Sequence, residues 1–477
     1  MEEAMTMFRR LTTLLVCLAL LAACQGTSGE STTTEAEGDT STSAEGATTT
    51  TSGEPSEPVE IHMTFWGTAQ EKEAVEAVAQ AYMDENPGIT VVAEHVPNDA
   101  YSQRITTMLA SGSPPDLAYL ETTVAEQLAI EGQLLDFTPY FEDDPEASQY
   151  LSQLQFHYDD VYGGDAIAGE AMILYYNKDL FDAAGLDYPP SQVENAWSWD
   201  EFVDVAKQLT IDRSGNDATS ADFNSDDVAQ YGVDFQRWWG GWMTAIYQGG
   251  NDFANEDGTA LTINEPDAVD ALQKYQDLIF SDNVAPPASV LSSSSSDALF
   301  SAGQLAMMIN GHWKVLDFSQ DDALNWGMAV LPVIGDEPFT GQILAPIVGF
   351  AATEHPDEVV EFYKFLRRPS EANPLYAQGL WMPVSAAYYE DPDLTAQWLD
   401  AIPGVYPEEA RDVLIDYVPN YSQRPLPTQW LKNLGQIQNE AIQPAIDLIW
   451  AGEATAQEAM DQAVETAAPL MQGRWDR

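Results

Sequence analysis

The chain has 477 residues, 45% of them hydrophobic, which is long enough for two or three lobes and too long for one small core. It carries 77 acidic residues against 18 Lys and Arg, a formal net charge of −59. A field of that sign repels nucleic acid and anionic lipid, which speaks against both as partners, and it keeps the surface hydrated.

The chain opens with "MFRRLTTLLVCLALLAACQG". Arg9 and Arg10 form a basic start, and Leu11 to Leu21 form an apolar run of signal-peptide length, short for a membrane span. "LAAC", Leu21 to Cys24, resembles the bacterial lipobox. That resemblance implies a signal peptide over 1–23 and a lipid on Cys24, holding the protein to the extracytoplasmic face of the cell membrane. An ordinary signal peptide cut nearby or an uncleaved anchor is the alternative. The two cysteines are Cys17, inside the removed segment, and Cys24, so the mature chain has no disulfide to form. Residues 24–58 are rich in Ser, Thr and acids and have no large apolar side chain, so nothing there offsets the entropy of ordering. They read as a flexible acidic tether.

The folded part starts with "VEIHMTFW", where Val59, Ile61, Met63 and Phe65 share one face at strand period. "EKEAVEAVAQAYMDENPG" puts Ala74, Val75, Val78, Ala81 and Tyr82 on one helical face and stops at "NPG". "ITVVAEHV" is a second strand, "YSQRITTMLASGSPP" a helix ending in a Gly/Pro turn, and "DLAYL" a third strand. This βαβαβ order predicts a parallel sheet, whose ligands sit beyond the carboxyl ends of the strands, here at "FWGT" and "YLET". The pattern then restarts. "SWDEFVDVAKQL" opens with a capping box from Ser198 to Glu201, "EPDAVDALQKYQDLIF" is an amphipathic helix, and "QLAMMINGHW" is a strand running into a turn. "HPDEVVEFYKFLRR" and the last fifty residues read as helical.

Two stretches raise questions of chemistry. "FQRWWGGWMTAIYQGG" places Trp238, Trp239 and Trp242 within five residues. Either the rings bury one another in a core turn, or their flat faces line a concave site. Helical spacing would put Trp238 and Trp242 on one face and turn Trp239 away. "DRSGNDATSADFNSDD", 212–227, gathers Asp212, Asn216, Asp217, Asp222, Asn224, Asp226 and Asp227 around a Gly. Such oxygens can hold calcium, but the Glu that closes an EF-hand loop is missing, and a solvated acidic loop is the favoured reading.

Five segments carry a resemblance in a fixed order: "FWGT" before an amphipathic helix, "SGSPPDLAYLE", "EAMILYYNKDLFDAAGL", "LFSAGQLAMMINGHW" and "GFAATEHPDEVVEFYKFLRRPSEANPLYAQGLWMPV". Over 59–477 the chain resembles extracellular solute-binding protein family 1, the maltose-binding-protein-like sugar-binding proteins of ABC importers. The resemblance implies an α/β, periplasmic-binding-protein-like fold with two lobes joined by a hinge. Lobe 1 would be 59–168 plus 349–393, and lobe 2 would be 169–348 plus 394–477. A carbohydrate would bind in the cleft and stabilise the closed form, which the ABC permease subunits recognise. The binding component would act as a monomer, without cofactor or metal.

By that resemblance the cleft takes Trp66, Gly67 and Thr68 from the end of the first strand, and Leu120 and Glu121 from the end of the third. By its pattern alone Trp66 is equally a core residue. Glu170 is a hinge carboxylate suited to two sugar hydroxyls, or else one more solvated acid. Gln236, Arg237, Trp238, Trp239 and Trp242 form the expected centre of the site, where indole faces match the C–H patches of sugar rings. Gly311, His312 and Trp313 supply a turn with a stacking Trp, His312 serving as a donor or a packed residue. Gly349 and Phe350 lie at the second crossover, Trp381 on a loop expected to close the cleft, and Arg424 on a later loop. Trp-lined clefts and paired carboxylates also belong to secreted glycoside hydrolases, which stay as the alternative. GxSxG, HExxH and Walker A motifs are missing, and a surface adhesion module would explain the tether but not the two-lobe pattern. The several Trp suit an oligosaccharide or glycoside better than a small polar ion, and phosphate suits the expected cleft less, because only Arg237 and Arg424 would face its acids.

Overall fold

Strand β1 (Val59–Trp66) buries Ile61, Met63 and Phe65 completely, as its alternation requires. Helix α1 (Ala69–Glu85) covers it with Ala74, Val75, Val78, Ala79 and Tyr82. Strand β2 (Ile89–Val96), helix α2 (Asn98–Ala110) and strand β3 (Leu117–Tyr119) follow, and β1 lies parallel to both β2 and β3. The expected βαβαβ unit is therefore present. This computed structural model describes residues 58–141, 151 and 154–475. The expected signal segment, Cys24 and nearly all of the tether lie outside the described residues.

After helix α3 (Thr122–Ile130) the hairpin β4 (Gln155–Tyr158) and β5 (Val161–Asp165) leads into β6 (Glu170–Asn177), the heart of a second sheet. Here Met172, Leu174 and Tyr176 enter one apolar cluster, and Ala171, Ile173 and Tyr175 enter another. Both faces of β6 are covered, which is why its sequence is an unbroken apolar run rather than an alternating one. Helix α4 (Trp199–Leu209) starts at the expected capping box, with Ser198 and Glu201 exchanging hydrogen bonds. Strand β7 (Ile211–Asp212), strand β8 (Val228–Phe235), helix α5 (Trp239–Gln248), helix α6 (Pro266–Phe280), strand β9 (Leu305–Gly311) and strand β10 (Trp326–Ala329) complete this lobe's main frame. The strand order is β10-β6-β9-β8-β7, with β8 and β9 parallel and β6 antiparallel to both neighbours.

The chain returns through β11 (Gln342–Ile343), paired with β6, and β12 (Ile347–Gly349), antiparallel to β3. It re-enters the first sheet at Ile347 rather than Gly349, because Ile347 and Val348 pair with Tyr119 and Ala118. The two linking segments run side by side: Ala166 bridges Pro346, and the Ile167 N–H donates to the Ala345 carbonyl at 2.8 Å. Buried Asp165 fixes this crossing. It accepts the Tyr162 hydroxyl at 2.5 Å and the Tyr363 hydroxyl at 2.6 Å, and pairs with Arg367 Nε at 3.1 Å. Tyr363 and Arg367 lie on helix α7 (Pro356–Arg367), and Arg367 also donates to the Ala166 carbonyl at 3.0 Å. The last helices are α8 (Leu434–Ile437), α9 (Gln443–Ala451) and α10 (Ala456–Ala467), packed into the second lobe. Trp475 then crosses back into the first core, its ring edge-on to Tyr158 at 5.4 Å. Among the described residues no helix is long and apolar enough to cross a membrane.

Candidate functional site

A cavity of about 750 Å³ opens between the two lobes. Its first wall is the turn after β1. Gly67 has φ +142°, and a Cβ there would sit 1.8 Å from a Glu71 carboxylate oxygen. A side chain at this turn would take a strained backbone and displace the Glu71 carboxyl. The freed volume admits Glu71, which Thr68 holds: Thr68 Oγ1 accepts the Glu71 N–H at 3.2 Å, and the Glu71 carboxyl takes the Thr68 backbone N–H. Burial pushes the Glu71 carboxyl up to about 8, against the Thr68 N–H; nearby Glu170 adds to the rise, while a bond with the Trp381 side chain opposes it. Trp66 stands edge-on to Tyr101 at 5.0 Å and to Tyr119 at 5.5 Å, so its ring is braced and half-buried.

The opposite wall carries the indole cluster. Trp238 is the residue before α5, with extended backbone, and its Nε1 donates to Gln236 Oε1 at 2.9 Å. Its ring lies so close over Gly240 that a Cβ there would meet it at 2.6 Å. Trp239 stands edge-on to it at 4.9 Å, and Trp313 lies 6.1 Å away, tilted by 40°. Trp66, Trp238, Trp239, Trp313 and Trp381 all line the cavity.

Glu170, at the start of β6, also lines it, with its side chain 13% exposed. Fully buried His312 places Nδ1 3.4 Å from Glu170 Oε2, without hydrogen-bond alignment, and both Glu170 oxygens have no hydrogen-bond partner among the described residues. A buried carboxylate left so is costly, and a ligand's hydroxyls remove that cost. Lys314 is the one cation among the described lining residues, facing Glu71, Glu121, Glu170 and Asp317. Burial would lower the Lys314 ammonium, but Asp297 at 2.7 Å and Asp317 at 2.8 Å hold it above its ordinary value. It is therefore already paired, and the lining carries net negative charge.

The structure brings Trp66, Gly67, Thr68, Glu121, Glu170, Trp238, Trp239, Trp313 and Trp381 together around the cavity. Other expected residues face elsewhere. Leu120 is buried in the first core. Trp242 is 1% exposed and stacks on Phe253 within the second core. The helix begins at Trp239, so Trp238 is not in helical phase with Trp242, and Trp239 rather than Trp242 joins it at the cavity. Gln236 supports Trp238 from behind. Arg237 is drawn inward by fully buried Asp234 at 2.9 Å and by the Pro286 carbonyl. Arg424 lies over Tyr247 at 4.7 Å and pairs with Asp252 at 2.7 Å. Gly311 backs the Trp313 ring, and His312 reaches Tyr406 Oη at 3.5 Å on its other nitrogen. Gly349 pairs in the first sheet, and Phe350 is buried in that lobe's core.

Glu71, Gln438 and Asn439 line the cavity and were not foreseen. Thr68 and Glu71 have the spacing of a capping box, a local signal of a helix start and not of a ligand site. In the acidic loop, Asp212 collects the backbone N–H groups of Asn216, Asn224 and Ser214, the first of these chiefly holding its carboxyl below the usual range. Among the described residues no group of three His, Cys, Asp or Glu is placed to hold a metal ion.

Residues 67–373 match the model of the bacterial extracellular solute-binding protein family. A binding protein of Brucella abortus is 27% identical over 264 residues, which span 54% of this chain and only 59% of that protein. The sn-glycerol-3-phosphate-binding periplasmic protein UgpB of Salmonella paratyphi A is 24% identical over 85% of this chain and 92% of its own length. Among solved structures, an ABC substrate-binding protein of Listeria monocytogenes in complex with cycloalternan has a TM-score of 0.73 at 24% identity, covering 87% of this chain and 99% of that one. That likeness speaks for the two-lobed fold.

Proposed function

Because the chain belongs to the bacterial extracellular solute-binding protein family, we propose that it captures a neutral carbohydrate, an oligosaccharide or glycoside, between its lobes for import. The observation that carries this reading is the cavity itself, with five indoles beside the Glu170 carboxylate, whose oxygens have no hydrogen-bond partner among the described residues. Indole faces take the apolar faces of sugar rings, and a carboxylate accepts two hydroxyls in short, charge-assisted bonds. A phosphate ester fits less well. Arg237 and Arg424 are both engaged away from the cavity, and Lys314 is neutralised by two aspartates. The similarity to UgpB therefore extends to the fold and not, in our reading, to its ligand.

Delivery to ABC permease subunits by the closed form, action as a monomer, and attachment to the extracytoplasmic membrane face through Cys24 and the tether complete the proposal. Together with the Trp-lined cavity, the Glu71 and Glu170 pair also suits a glycoside hydrolase, since one carboxyl is held protonated near a second. Titration of the protein's Trp fluorescence with neutral oligosaccharides and with glycerol 3-phosphate tests both readings. Saturable binding of a neutral sugar, silence toward the phosphate and no new reducing ends are the expected results. Release of reducing ends would establish the hydrolase instead.

A further inference from the structure

The C-terminal helices reach the cavity through an irregularity in their own hydrogen-bond ladder. Between α8 and α9, residues Gln438–Ile442 are wound as a π-helix. Such a turn inserts a residue and shifts those at its start off the regular helical face, a device common at functional sites. Ala441 and Ile442 stay in the second core, while Gln438 and Asn439 line the cavity. Gln438 is only 9% exposed, and its side-chain Nε2 is buried without a hydrogen-bond partner among the described residues. Keeping such a donor dry and unmet is costly, unless a ligand supplies the acceptor.

The position of Gln438 is set by the first lobe. Glu126 on α3 accepts the Asn433 N–H just ahead of α8, and a Cβ on Gly435 would lie 3.0 Å from Thr123. Thr122 and Thr123 line the same cavity. The amide is thus carried on a segment pinned across the lobe boundary. Its polarity is opposite to that of Glu170, which when ionised can only accept.

We propose that Gln438 is a specificity-determining residue: its amide N–H donates to a ligand oxygen, and with Glu170 it forms a donor and acceptor pair that selects the hydroxyl pattern of the sugar. This rests on the carbohydrate reading above. A site built to donate loses affinity when the donor goes, and its ranking of substrates changes, because the partner oxygen is left unpaired.

The test uses the full chain and its Gln438→Leu and Gln438→Glu variants. Each is titrated calorimetrically against maltotriose, cellotriose, xylotriose, arabinotriose and mannotriose, and each is melted. Expected are a tenfold or larger loss of affinity for the preferred sugar in Gln438→Leu, a changed order of preference in Gln438→Glu, and a melting temperature of Gln438→Leu no lower than the parent's. If the parent binds a sugar and Gln438→Leu binds it equally well, this proposal falls and the carbohydrate reading stands. A lowered melting temperature of Gln438→Leu with the order of preference intact would make the amide a packing group and also overturn it. If the parent binds none of the five, both proposals fall.

Discussion

Trp238 and Trp242 stand four residues apart and have opposite expected effects. Trp238 is half-buried at the cavity wall, with its N–H already satisfied by Gln236. Replacing it with Ala removes a ring face from the ligand. An aromatic contact of this kind is worth roughly 0.5–1.5 kcal/mol beyond area. Roughly 50 Å² of covered apolar surface at ~25 cal/mol per Å² adds about 1 kcal/mol. The sum, about 2 kcal/mol, corresponds to roughly thirtyfold weaker binding. The fold should lose much less than a core Trp costs, because the half-buried indole packs only against the margin of the second core. Trp242 is 1% exposed among core side chains. Its replacement with Ala leaves a cavity and should cost about 3–5 kcal/mol of stability, a drop of roughly 3–6 °C in melting temperature for a chain of this size. The ligand affinity of the molecules that remain folded should not change. Thermal melts and calorimetric titrations of both variants, with whichever neutral sugar the parent binds, decide the matter. A Trp238→Ala protein with full affinity and a Trp242→Ala protein with full stability but weak binding would refute the assignment of the two faces.

Three further outcomes are expected. The folded-state value of Glu71, about 8, lies above its ordinary 4.5. The folded protein therefore binds the extra proton, and this contribution to stability is complete below about pH 4.5 and lost as pH rises through 8. Glu71→Gln should flatten the fall of melting temperature between pH 5 and 8.5, and parallel curves for variant and parent would refute the burial of a neutral acid. Gly67→Ala should destabilise by roughly 1–3 kcal/mol through its φ of +142° alone, with weakened sugar binding as Glu71 is displaced; a denaturant midpoint unchanged from the parent would contradict this. Arg367→Met strips the buried Asp165 carboxylate of its cation beside the lobe crossing and should cost about 3–5 kcal/mol in urea unfolding, whereas a neutral outcome would show that the two tyrosines suffice.

Much of the frame was legible because it depends on near neighbours. The period of two in Val59–Trp66 and the helical face of Ala74, Val75, Val78 and Tyr82 are local patterns, and they lead directly to the parallel first sheet. The Ser198 and Glu201 cap is equally local. The side of the cavity on which each residue falls is another matter. Trp239 replaced Trp242 at the wall because the helix starts at Trp239, and because Phe253 offers Trp242 a packed partner. Arg237 was pulled from the cleft by fully buried Asp234, and Arg424 by the Tyr247 ring and the Asn251 carbonyl, with exposed Asp252 beside it. Glu71 reads as an ordinary capping residue until Trp381, more than three hundred residues away, covers it. Gln438 looks like one polar residue in a helix until a π turn and the contact of Gly435 with Thr123 set it against the cavity. Period and capping are properties of residues within a turn or two of one another. A ligand cavity belongs to walls that meet only after the chain has crossed between its lobes, and burial, which decides what a polar group there can do, is set by that meeting.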